Sequence, residues 1–245
     1  MTKRWDTSDE WRTLADWQWK QWHFSDETHF HMNSRRTEWV IRTKQERHCP
    51  DCIQKKRKQG ASQWHVWSMI SWGYKGPLVF FDMMECAPED ETKGTKNNPL
   101  GKDRKKGGGN MTQEAYVQLI LPYVKDRKDE LEAQGKHMVF QEGNDGGHGS
   151  GSEENVARYY KDRWNIDYID NWPPQSPDLN PIENIWRILK QRVKSHRPRT
   201  SQELRKAIEV EWERISIDEI NDYILGSKHM RSRMQECCER QGNCT

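Results

Sequence analysis

The tightest constraint on this chain is one run, Trp172-Pro173-Pro174-Gln175-Ser176-Pro177-Asp178-Leu179-Asn180-Pro181-Ile182-Glu183-Asn184-Ile185-Trp186. Each proline lacks a backbone N–H and drives the residue before it out of the α region, which predicts an extended path from Trp172 to Pro177. A helix must start after that: Asn180 is a favoured N-cap and Pro181 suits the first helical position. Glu183 falls at the third, where a glutamate either completes a capping box or points outward near the positive end of the helix dipole. Trp186, Leu189 and Val193 then form an apolar stripe, and Arg187, Lys190 and Lys194 follow Glu183 along another face. That basic row suits a phosphate backbone and equally suits an ordinary solvated surface.

The other elements follow from periodicity. In Trp22-His23-Phe24-Ser25-Asp26-Glu27, the strand period of two sets Trp22, Phe24 and Asp26 on one face, so the Asp26 carboxylate ends beside the inward-packing side. Strands are also predicted at 38–42, at Trp64 to Trp72 and at Leu78 to Phe81. Between the first two of these lie Cys49 and Cys52, at most half of a zinc site, and the quartet Lys55, Lys56, Arg57 and Lys58. The quartet reads as a phosphate-binding or nuclear-localisation-like patch, or as a solvated hairpin tip.

Residues 85–110 lose all periodicity and are expected to form a mobile loop. A helix then opens near Met111, with Tyr116, Leu119, Ile120, Tyr123 and Val124 as its apolar stripe. A buried strand at 137–142, a helix at 152–163 and a strand at 166–169 imply a right-handed parallel crossover. The last third is helical, with capping boxes at Thr200 and Ser216.

Composition limits the alternatives. The 245 residues suffice for one large α/β domain, and hydrophobic residues are only 33% against 32% charged, so the surface is charged and the core thin, with 13 tryptophans compensating in part. Forty basic residues nearly balance 38 acidic ones, so local patches rather than net charge must carry any nucleic-acid argument. No apolar run is long enough to cross a membrane, and the N-terminus lacks a signal-peptide core; a soluble intracellular chain with reduced cysteines is the expectation.

Three of these stretches together resemble the mariner-type superfamily of cut-and-paste DNA transposases. The Pro173 to Trp186 block is similar to the family's P-x-Q-S-P-D-L-N-P-I-E-x-x-W signature, which carries the third carboxylate of its D-D-E triad and assigns it to Glu183. Phe24-Ser25-Asp26-Glu27 resembles the block bearing the first aspartate and assigns it to Asp26. The resemblance implies an α/β fold of ribonuclease-H-like type, a mixed sheet flanked by helices. It implies residues 22–245 as the catalytic domain, with 1–21 a lead-in remnant too short for the family's end-recognising helix-turn-helix.

The second carboxylate departs from the pattern. Where the family has Q-E-D-x-D-x-x-H-G, this chain reads Gln141-Glu142-Gly143-Asn144-Asp145-Gly146-Gly147-His148-Gly149. Asp145 shares a strand face with position 143 and is the stand-in ligand if the strand runs that far, whereas Gly146 and Gly147 argue for a loop. The resemblance implies DNA cleavage and strand transfer by two Mg²⁺ or Mn²⁺ ions on Asp26, Asp145 and Glu183, with impairment expected from Gly143. The alternative is a non-catalytic, transposase-derived DNA-binding or assembly protein. Non-specific backbone contacts from Lys55, Lys56, Arg57, Lys58, Arg187, Lys190 and Lys194, a nuclear location and no membrane association complete the expectation, with a homodimer among the assemblies open to it.

Overall fold

A computed structural model describes residues 3–31, 63–81, 113–143, 155–226 and 229–243. The expected strand at 38–42, Cys49 and Cys52, the quartet from Lys55 to Lys58, the 85–110 segment and Asp145 all lie outside the described residues. Two short helices, α1 (Lys3–Trp11) and α2 (Asp16–Trp19), lead into the long strand β1 (Trp22–His31). Then come β2 (Gln63–Ser71), β3 (Tyr74–Lys75), β4 (Val79–Phe81), helices α3 (Gln113–Leu119) and α4 (Leu121–Ala133), β5 (Val139–Gln141), α5 (Val156–Arg163) and β6 (Asp167–Tyr168). Helices α6 (Pro181–Ser195), α7 (Ser201–Arg214), α8 (Ile217–Ile224) and α9 (Met230–Glu239) finish the chain.

The described strands form one sheet in the order β3-β2-β1-β5-β6, with β4 also on β2. β1 runs antiparallel to β2 and parallel to β5, and β5 runs parallel to β6, so the sheet is mixed as the sequence implies. Alternation along β1 and β2 splits the interior in two. Trp22, Phe24, Phe30, Val66 and Ile70 pack with α6 to α9 on one face, whereas Trp67, Met69 and Phe81 pack with α3 to α5 on the other. Trp11 and Trp19 from the lead-in are buried in the first of these cores: Trp11 lies edge-on to Trp22 at 5.0 Å between ring centroids and stacks on Trp172 at 5.3 Å.

One predicted stripe needs correction. The helix expected from Met111 onward is two helices, because Pro122 sits in the first turn of α4 and cannot donate to the preceding turn. The restart at Ile120 shifts the helical phase, so Leu119 and Tyr123 face solvent and Leu121 takes a core position beside Tyr116, Ile120 and Val124.

His23, on the second face of β1, shows how burial sets protonation. Its Nδ1 lies 3.1 Å from the Gln21 carbonyl, and Arg127 Nε donates to Nε2 at 3.3 Å, an arrangement that suits the neutral ring. Burial, reinforced by the charge of Arg127 and opposed by the Gln21 bond, pushes its pKa down to about 4. The unfolded chain therefore binds a proton below pH 6.5 that the folded chain refuses, and stability falls as pH drops from 6.5 and levels off below about 4. Urea denaturation of wild type and His23→Gln should give stability profiles that diverge by about 3 kcal/mol across that window.

Candidate active site

Parallel pairing sets the site. Phe24 lies opposite Gln141 at the end of the β1–β5 ladder, and two residues further along each chain Asp26 and Gly143 line the same cleft. Asp26 follows Phe24 on the face covered by α6, whose first turn carries Glu183. Asp26, Gln141, Gly143, Trp172, Gln175, Ser176, Asn180 and Glu183 are among the residues lining one cleft of about 150 Å³. The position that would hold a second carboxylate is in that cleft and has no side chain.

Two carboxylates meet there. Asp26 is held well above the ordinary carboxylate range, first by its removal from water, then by the charges of Glu27 and Glu183 and a hydrogen bond shared with the Glu183 carboxyl. Asn180 fixes the approach: its Oδ1 accepts from the Ile182 N–H, and its Nδ2 donates to the Ser25 carbonyl at 3.1 Å. A raised carboxyl pKa penalises the folded state progressively as pH climbs from the ordinary carboxylate range toward the raised value, and is silent in acid. In chelator-treated protein, Asp26→Asn should therefore raise the thermal midpoint by about 2–4 °C at pH 7, and the gain should vanish as pH falls toward 4.

A pair of carboxyls forced together fits a hard divalent cation, which takes oxygen donors and would replace the shared proton. Among the described residues no group of three His, Cys, Asp or Glu side chains is placed to hold a metal. Another polar side chain lining the cleft is Gln141, fully buried, whose Oε1 and Nε2 both lack a hydrogen-bond partner. The donor set on the described residues thus fits one cation, and Asp145 would have to complete a two-ion arrangement.

The segment before α6 is not extended throughout. It turns at Pro174 and Gln175, where Gln175 adopts a left-handed φ of 53°, and forms a 3-10 turn at Pro177–Leu179. The proline rule does hold at Ser176 and Asn180, both outside the α region, but Gln175 precedes no proline and is unrestrained by it. A left-handed non-glycine costs about 1 kcal/mol or more and persists where its surroundings enforce it. Arg4 of α1 provides that enforcement, donating to both Asp178 oxygens at 2.7 and 2.9 Å and to Ser176 Oγ at 2.7 Å. Arg233 of α9 adds a bond to the Asp178 carbonyl at 3.3 Å.

The Arg4 and Asp178 side chains are only 12% and 15% exposed, so losing one partner strands the other. Arg4→Met should cost about 3 kcal/mol in denaturant titrations. Combining it with Asp178→Leu should recover part of that loss.

Glu142, adjacent to the cleft in sequence, faces the other way. Lys161 donates to its Oε1, and Tyr116 Oη donates to Oε2 at 2.5 Å, on the side of the sheet covered by α3 and α5. It cannot stand in for the carboxylate absent at 143. Arg187, Lys190 and Lys194 are exposed along α6, with Lys190 Nζ 5.9 Å from the Phe30 ring centroid at the far end of β1. Arg4 and Gln141 were not signalled by the sequence: the first acts across 174 positions, and the second is marked only by its side chain's lack of a partner.

A family profile described as DDE superfamily endonuclease matches residues 108–205. The Tcb1 transposable-element transposase of Caenorhabditis briggsae is 27% identical over 203 residues, which are 81% of this chain and 61% of that protein. The Tcb2 transposase of the same species is 33% identical over 108 residues, 44% of this chain and 37% of its own length. The chain thus spans less than two thirds of either relative. The crystal structure of the catalytic domain of Mos1 mariner transposase matches at a TM-score of 0.64 and 10% identity, covering 100% of this chain and 94% of that one. A Mos1 paired-end complex with the left transposon end gives 0.66 at 10% identity, covering 99% and 62%. The fold is accordingly ribonuclease-H-like.

Proposed function

We propose, for a chain homologous to the Tc1 and mariner transposases over their catalytic region, a transposase-type activity: DNA cleavage and strand transfer by metal-assisted phosphoryl transfer. The observation that carries it is the meeting of Asp26 and Glu183, 157 residues apart, in one cleft beside the middle of β1 and the end of β5. Solved Mos1 structures are described with Mn and with Mg, which supports the same two ions here. When bound, such a cation polarises a phosphodiester and lowers the pKa of the attacking water or 3′-hydroxyl.

The chain's own residues have separate tasks. Asp26 and Glu183 offset the cation's charge, with Asp145 as the third carboxylate of a two-ion arrangement. Asn180 keeps the α6 N-terminus against β1, and Trp172 and Pro173 wall the cleft against water. Arg187, Lys190 and Lys194 receive the DNA backbone without reading sequence, as do Lys55, Lys56, Arg57 and Lys58. A nuclear location follows from this substrate, and a homodimer suits a reaction on two transposon ends. No helix among the described residues is long and apolar enough to cross a membrane.

Gly143 favours a second reading, a non-catalytic DNA-binding or assembly protein, because a site short of one carboxylate compensates a pair of cations poorly. Duplex nicking with Mn²⁺ separates the two. Under the catalytic reading the unmodified chain nicks and Glu183→Gln falls to background; under the other, the unmodified chain nicks only at background, Glu183→Gln leaves that rate unchanged, Gly143→Asp raises it, and duplex binding persists throughout. Replacing Arg187, Lys190 and Lys194 together by alanine should flatten the dependence of log affinity on log salt by about 2–3 units in fluorescence-anisotropy titrations.

A further inference from the structure

Position 143 carries no side chain, and the residue two before it, Gln141, is the last of β5. Gln141 lines the cleft with Asp26 and Glu183. Its main chain is fixed, since the carbonyl accepts from Ser25 Oγ at 3.0 Å and the residue pairs with Phe24 in the ladder. Its carboxamide is fully buried with neither Oε1 nor Nε2 bonded. A buried amide left without partners is destabilising, so the site holds a polar side chain that does nothing for the fold by itself.

We infer that Gln141 is a cation ligand, its Oε1 serving as the third protein donor beside Asp26 and Glu183 in place of a carboxylate at 143. The assignment rests on the metal-dependent reading of the cleft. The charge of the surroundings selects the atom: two carboxylates repel an anion that Nε2 would bind, and they attract a hard cation that takes amide oxygens readily. With two negative charges and one neutral donor, the described site matches a single divalent ion.

Calorimetric titration of the chain with Mn²⁺, without DNA, tests this, together with thermal melting in chelator. Gln141→Leu should bind Mn²⁺ about tenfold more weakly, yet melt higher than wild type in chelator because two unpaired polar atoms are gone. Gln141→Glu should bind about tenfold more tightly, and it also tests the assignment if the leucine variant fails to fold. Wild-type affinity in Gln141→Leu, or unchanged affinity in Gln141→Glu, would overturn the assignment, as would a tenfold loss in Asp145→Asn with none in Gln141→Leu. If Mn²⁺ binds the wild type and is lost in Asp26→Asn but is indifferent to position 141, only Gln141 is misassigned. If the wild type binds no Mn²⁺, the metal reading of the cleft falls and this inference with it.

Discussion

One carboxamide joins the two halves of the site. Asn180 caps α6 with its oxygen and ties that helix end to β1 through its nitrogen, at the carbonyl of the residue just before Asp26. Both bonds are buried, so each contributes more than an exposed counterpart would and neither can be replaced by water. Because the cap and the cross-link are the same side chain, the start of the helix and its distance from the strand are not independent variables. The apolar stripe of Ile182, Ile185, Trp186, Leu189 and Val193 supplies the attraction of α6 for the sheet, and Asn180 sets where along β1 that attraction is cashed in as register.

Strand alternation explains how one short segment serves two unlike environments. Gln141 and Gly143 open toward the carboxylates, while Glu142 between them turns to Lys161 and Tyr116 and is fully satisfied. The second environment is a closed ion pair in an apolar core, and the first is a pair of like charges held together against their repulsion. The two kinds of carboxylate are thus told apart by partner, not by burial. The absence of a side chain at 143 leaves the far side of β5 untouched, which is why the fold tolerates glycine there.

Much of the frame was legible from local pattern. The alternation of Trp22, Phe24 and Asp26 gave the buried face of β1, and the Asn180-Pro181 pair gave the start of α6, because each rests on nearest-neighbour chemistry. Most of the failures share a cause. Arg4 meets Asp178 only after the whole sheet has formed, and the left-handed Gln175 is imposed by that contact rather than by its own neighbours. The phase shift at Ile120 was written in Pro122, but apolar periodicity on both sides of it masked the break. For Gln141 the residue type alone carried no message, since an unsatisfied amide is a property of its surroundings.

The clamp over the loop before α6 also draws together opposite stretches of the chain. Arg4 bonds the Gly242 carbonyl at 2.9 Å while holding Asp178, so the described beginning and end of the polypeptide meet within one arginine's reach of the segment that leads to Glu183. Any module joined ahead of α1 or beyond α9, native or fused, is therefore tethered near the rim of the cleft. A second binding module placed there would act at the high effective concentration of a short linker, and swapping such modules would change what is presented to the cleft without altering a residue inside it.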